Sequence, residues 1–179
     1  MKLIATLALL LLAALPVQDA RPLDLVDDVD LSRYAGTWYE IARFPNRYQD
    51  TCASDVTATY ALRPDGDITV VNRCRKADGS WNETEGVAKR AGEGEGNAAL
   101  KVRFAPAFLS ILPSVWGDYR IIGLDPGYRW AVVGEPEREY LWILSRTPRM
   151  STENYDRAVA IAQANGFDVA RLRRTEHSP

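Results

Sequence analysis

Histidine and cysteine are almost missing from this chain of 179 residues, which has one histidine, His177, close to the C-terminus, and two cysteines, Cys52 and Cys74. A single histidine so placed excludes Ser-His and Cys-His pairs for nucleophilic catalysis. It also leaves no Cys/His set to ligate a metal, so neither a metal nor a cofactor is expected. Charge of one sign is lacking too: 22 Lys and Arg against 24 Asp and Glu give a net charge of -2, without the basic footprint of a nucleic-acid binder. The basic residues are scattered apart from Arg171, Arg173 and Arg174, read as part of a solvated tail. The one long apolar run, Leu3 to Leu15, follows Met1-Lys2 and is too short to cross a bilayer comfortably. It reads as a secretory signal, assigned to residues 1–20. With no cysteine in or just after it, the mature chain is expected to be exported and not lipid-anchored.

What is present fits one globular domain: 46% of residues are hydrophobic and 26% charged, over a length sufficient for one sizeable core. Between the two cysteines lie Val56–Tyr60, the turn Pro64-Asp-Gly-Asp67 and Ile68–Asn72, which read as a hairpin that brings Cys52 and Cys74 opposite each other. In an exported protein this predicts a structural disulfide. It closes a loop of about 20 residues and stabilises by roughly 3 kcal/mol in the chain-entropy account. A catalytic thiol and half a metal site are the alternatives, and neither has a histidine partner.

The organising stretch is Gly36-Thr-Trp-Tyr-Glu-Ile-Ala-Arg43. Alternation puts Trp38, Glu40, Ala42 and Phe44 on one face of a strand and Thr37, Tyr39, Ile41 and Arg43 on the other. Large apolar groups on both faces place it between two packed layers. Before it, residues 21–35 form a polar lead-in whose Asp27, Asp28 and Asp30 read as solvated or helix-capping, with Ca²⁺ binding the sharper alternative. After the hairpin come Trp81–Arg90, a connector Gly92–Gly96, Leu100–Phe104, Trp116–Leu124, the turn Asp125-Pro-Gly127, Tyr128–Gly134 and Tyr140–Arg146. Ser151 then caps a helix over 151–165 with the stripe Tyr155, Ala158, Val159 and Ala162, ended by Gly166. The predicted fold is all-β with one C-terminal α-helix. Residues 36–172 form an eight-stranded antiparallel up-and-down β-barrel with the helix on its outer wall, a brief last strand at Phe167–Val169, and a tail at 173–179.

A barrel of this size removes both sheet edges and leaves room for one small ligand. Trp38 is the candidate floor, entered through Gly36, with the Arg146 guanidinium stacked on its indole.

Gly36-x-Trp38 opening the first strand, Asp125-x-x-Tyr128 between the sixth and seventh, and Arg146 closing the eighth resemble the three signature regions of the lipocalins, of the calycin type. Gly36–Arg43, Tyr140-Leu-Trp-Ile-Leu-Ser-Arg-Thr-Pro148 and Asn165-Gly-Phe-Asp168 resemble more narrowly the bacterial lipocalins and their relatives, apolipoprotein D and the plant temperature-induced lipocalins. The resemblance implies a carrier of small hydrophobic molecules, typically fatty acids or lysophospholipids in the bacterial branch. Many bacterial members carry a lipobox cysteine that this sequence lacks, so the periplasm or secretion is expected, with at most peripheral contact at the outer membrane. Alignment with the apolipoprotein D branch puts pocket-lining groups at Tyr60, Asn72, Tyr119 and Trp142. Their strand-mates Val56, Ala58, Val70, Ile121, Leu100, Val102 and Phe104 then face in. Asn72, the Tyr60 and Tyr119 hydroxyls and Glu40 are the candidates for fixing a head group. A buried Glu40 requires an arginine partner or a raised pKa.

Between the fifth and sixth strands, residues 105–116 carry Phe108, Leu109, Ile111, Leu112 and Trp116, too many apolar groups for an ordinary exposed loop. Three readings stand: a lid that puts Phe108 on the ligand, a tip that touches a membrane to load lipid, and a homodimer contact. The chain is not expected to be an enzyme. The alternatives are a lipid-modifying enzyme using Glu40 and a tyrosine, and a pigment or tetrapyrrole binder, for which no internal histidine or third cysteine is present.

Overall fold

A computed structural model describes residues 21–92 and 94–178; the expected signal segment, Glu93 of the glycine connector and Pro179 of the tail lie outside the described residues. After a one-turn helix α1 (Leu31–Tyr34), the chain forms β1 (Gly36–Arg43), β2 (Ser54–Leu62), β3 (Ile68–Arg75), β4 (Trp81–Arg90), β5 (Ala99–Arg103), β6 (Gly117–Leu124), β7 (Trp130–Gly134) and β8 (Leu141–Ser145). A helix α2 (Thr152–Ala164) and a two-residue strand β9 (Arg173–Arg174) follow. Turn-forming residues supply the reversals: Pro64-Asp65-Gly66-Asp67 joins β2 to β3, Asp78-Gly79 joins β3 to β4, and Asp125-Pro126-Gly127 joins β6 to β7. Neighbours pair antiparallel in chain order, β8 pairs with β1, and β1 returns to β2 through Gly36↔Tyr60 and Trp38↔Ala58. The sheet is therefore closed, an eight-stranded barrel without free edges.

The barrel has two cores. Inside, Trp38, Tyr34, Tyr60, Leu100, Ile121, Val133 and Leu144 pack together. Outside, α2 covers Ile41, Ala42, Phe44, Ile122, Val132 and Ile143 with Ala158, Ala162 and Phe167. Ser151 starts this helix by accepting from the Asn154 backbone N–H, as its cap position predicts. Gly134 lets it close in, because the Phe167 ring occupies the space where a β-carbon at 134 would stand.

Three expectations change. Ala42 and Phe44 do not share a face with Trp38 and Glu40, because the register of β1 against β8 shifts between Glu40 and Ala42. One extra residue inverts the alternation, sending Ala42 and Phe44 outward to the helix while Trp38 and Glu40 stay inside. The polar lead-in also contributes to the core: Asp30 caps α1 by accepting from the Ser32 and Arg33 backbone N–H groups, and Val29, Leu31 and Tyr34 are buried. Finally, 169–171 is a 3-10 turn, and the last strand is Arg173–Arg174. The tail is structural. β1 and β2 separate beyond Tyr39↔Thr57, and the open backbone groups are taken up when Thr175 N–H donates to Ile41 O and Asp55 N–H donates to Glu176 O.

Candidate ligand-binding cavity

Closure leaves a cavity of about 720 Å³, within the range of roughly 300–1,000 Å³ usual for small-molecule sites. Its wall is largely aliphatic, with Val56, Ala58, Val70, Ala88, Leu100, Val102 and Leu144. A polar band on β3 and β4 consists of Asn72, which pairs across the ladder with Thr84, and Asn82.

The closed end is fixed by backbone carbonyls. Trp38 is fully buried and its indole N–H donates to Tyr34 O at 2.8 Å. The Arg146 guanidinium lies 3.9 Å over the Trp38 ring. It donates to the carbonyls of Arg33, Tyr34, Ala35 and Thr37, at 2.7, 3.1, 2.9 and 3.0 Å. Gly36 has φ +95° and an added β-carbon would stand 3.3 Å from that guanidinium, so both conformation and space call for glycine. Beside it Asp125 accepts from the Arg129 side chain at 2.8 and 2.7 Å, which holds its carboxyl down at about 2.

Above Trp38 sits a group that sequence reasoning did not find. Tyr34 stacks on Trp38 at 4.8 Å and approaches Tyr60 at 5.6 Å. Its hydroxyl is 2.7 Å from that of Tyr119, which is 3.0 Å from that of Tyr60. Burial pushes all three phenols up, Tyr60 to about 12 and the other two well above their usual range. The only sequence signal for Tyr34 was an aromatic residue one helical turn before the tryptophan.

At the mouth, Glu40 lines the cavity and is 2% exposed. Its arginine partner is Arg43, at 2.7 Å. Gln49 donates to its other oxygen at 2.6 Å, and Thr175 donates to the first. Gln49 in turn accepts from the Trp142 indole N–H at 2.9 Å. The carboxylate thus ties the loop after β1 to the wall, and it has no tyrosine hydroxyl bonded to it among the described residues. Tyr140 stacks on Trp142 at 5.9 Å and meets Tyr48 at 5.7 Å, forming an aromatic rim. Next to it Glu135 accepts from the backbone N–H groups of Glu137, Glu139 and Tyr140. Burial pushes its carboxyl up to about 6. Cys52 and Cys74 also border the mouth and are joined in a disulfide with a Cα–Cα distance of 5.5 Å.

Eleven of the expected residues border the cavity: Glu40, Val56, Ala58, Tyr60, Val70, Asn72, Leu100, Val102, Phe104, Tyr119 and Trp142. Two lie elsewhere. Ile121 points inward but is fully buried in the packed end of the barrel, below the void. Phe108 is 78% exposed in the 3-10 turn 107–109 and does not border the cavity, although Ala105, Ser114, Val115 and Trp116 of the same loop do. Gln49, Tyr48 and Tyr140 border the cavity without having been among the expected lining residues, and Trp116 of the apolar loop borders it too.

The family described as "Lipocalin-like domain" matches residues 29–177. The chain is 44% identical over 169 residues to the outer membrane lipoprotein Blc of Escherichia coli, covering 94% of this chain and 90% of that protein. It is 42% identical over 161 residues to temperature-induced lipocalin-1 of Arabidopsis thaliana, covering 89% and 86%. Among solved structures it superposes on insecticyanin of the tobacco hornworm Manduca sexta with a TM-score of 0.66 at 18% identity, covering 89% and 86%, a likeness of fold.

Proposed function

The chain belongs to the lipocalin family, and on that premise we propose that it binds and transports one monoacyl lipid, a fatty acid or a lysophospholipid, in the barrel cavity. The observation that carries this reading is a cavity of about 720 Å³ with an aliphatic stretch of wall between polar groups at its mouth, on β3 and β4, and at its floor. Burying a chain in it contributes about 0.8 kcal/mol per methylene, so a dozen methylenes supply roughly 10 kcal/mol before the costs of binding. The wall selects for an acyl chain, and Asn72 and its neighbours are the groups that contact a head group. Native mass spectrometry of protein purified from its own host, with lipid extraction, is expected to show one such lipid per chain, returned unchanged. Protein that carries none and takes up neither hexadecanoic acid nor lysophosphatidylcholine would overturn the reading. A chemically altered lipid would favour the enzyme alternative, and a visible absorbance band the pigment alternative.

The loop 105–116 is proposed as the point of contact with a lipid surface. Ile111 is 84% exposed beside Phe108 and Leu112. Lys89 is exposed, with its Nζ 4.1 Å from the Trp116 ring at the base of the loop, where it can meet lipid phosphates. Sedimentation with phosphatidylglycerol vesicles is the test; a dimer formed through this loop without vesicles would replace the proposal. The disulfide supports export, to the periplasm or beyond.

A further inference from the structure

The inner end of the cavity has one hydroxyl proton more than its own oxygens take up. Tyr34, Tyr60 and Tyr119 bring three phenols together through two hydrogen bonds, with Tyr119 common to both. Each phenol has one proton to donate. Two bonds use two protons, so one O–H is left over whichever way they are directed, and among the described residues no further acceptor is bonded to it. If Tyr60 donates to Tyr119 and Tyr119 to Tyr34, the spare proton is on Tyr34, which is 2% exposed and does not border the cavity. That arrangement strands a buried donor, at the full cost of its lost solvation. The other two leave the proton on Tyr60 or Tyr119, both of which border the cavity. The floor therefore offers its guest a hydrogen-bond donor.

The donor is neutral, and among the described residues no cation is hydrogen-bonded to any of the three hydroxyls. Burial keeps the three phenols protonated. The nearby Arg146 guanidinium is engaged by backbone carbonyls around the Trp38 ring. A carboxylate brought here would lose its hydration and meet only neutral hydroxyls as hydrogen-bond partners. A plain methyl end would leave the O–H unpaired, or trap a water with too few partners.

We infer that the inner end of the bound molecule carries a neutral hydrogen-bond acceptor, a keto, ester or hydroxyl oxygen, so that the preferred guest is an acyl lipid oxygenated away from its head group. This rests on the carrier reading and specifies its ligand class. Hexadecanoic acid and 15-oxohexadecanoic acid share length and head group and differ by one acceptor near the far end. Isothermal titration of the delipidated protein is expected to show the keto acid binding at least as tightly as the plain acid. In the variant Tyr60→Phe/Tyr119→Phe the order reverses, the keto acid becoming weaker by tenfold or more. A wild-type protein that already disfavours the keto acid tenfold overturns the inference and leaves the carrier reading standing; failure to bind either acid overturns both. Should the double variant not fold, the carbonyl stretch of the bound keto acid decides. A frequency lowered from its value in hydrocarbon supports the donor, and an unlowered one removes it.

Discussion

At the closed end of the barrel, Trp38, Tyr34 and Arg146 are packed ring on ring and bonded to main-chain carbonyls. At the mouth, a disulfide, a carboxylate bonded to Gln49 and a rim of aromatic residues hold loops that stay half in water. The first end is rigid because almost every polar group there is answered by backbone that the barrel already fixes. The second is fastened by side chains from loops, and its aromatic residues Tyr48, Tyr140 and Trp142 border the cavity. Stability and access are thus separated along one axis, and substitutions at the two ends are expected to act on different measurements.

The sharpest test is Trp38→Ala, expected to cost about 3–5 kcal/mol in urea unfolding through lost packing and the cavity it leaves. The matching change at the rim, Trp142→Ala, is expected to lower stability by about 1 kcal/mol while weakening lipid binding; equal losses at both sites would erase the distinction. Next in size is Cys52→Ala/Cys74→Ala, expected to lower unfolding free energy by roughly 3 kcal/mol, since the mouth depends on a constraint on the unfolded chain more than on packing.

The two ends should also respond to pH with opposite sign. Asp125 is held at about 2 by Arg129, below its ordinary 3.8, so its contribution is present above that value and lost as pH falls toward 2. Glu135 is raised by burial from its ordinary 4.5 to about 6, so its contribution is full below 4.5 and lost as pH rises through 6. Calorimetric melts across this range are expected to show the wild-type advantage over Asp125→Asn shrinking toward acid. The advantage over Glu135→Gln shrinks in the other direction. Two curves of the same slope would contradict the assignment. The smallest effect on stability is expected from Phe108→Asp/Ile111→Asp, within about 0.5 kcal/mol because both side chains already face water. Vesicle sedimentation of that variant should nevertheless fall at least tenfold, and unchanged sedimentation would remove the loop from the proposed lipid contact.

The barrel was legible because its signals are local. Eight alternating runs separated by turn residues, then a helical stripe after Ser151, name the elements and their order, and two cysteines flanking a hairpin name their own bond. Most of the wall followed from the resemblance to the apolipoprotein D branch, which anchors Tyr60, Asn72, Tyr119 and Trp142, extended by parity to strand-mates such as Val70, Leu100 and Val102. Parity failed at Ala42 and Phe44, where a bulge inverts the count, and it was silent at Tyr48 and Gln49, which come from the loop after β1. Phe108 lies outside the cavity lining while Trp116 of the same loop borders it, because an apolar loop carries no mark of which of its residues turn toward an opening.

Alternation and turn chemistry determined by themselves the strands, their order and an apolar face along them, because each depends on residues a few positions apart, and the cysteines, 22 residues apart, flank one hairpin. Tertiary structure alone decided what stands at the two ends of that interior. Tyr34 and Tyr119 are 85 residues apart when their hydroxyls meet, and Thr175 reaches Glu40 across 135. Such contacts depend on the twist and closure of the whole sheet, and no short window of sequence contains both partners.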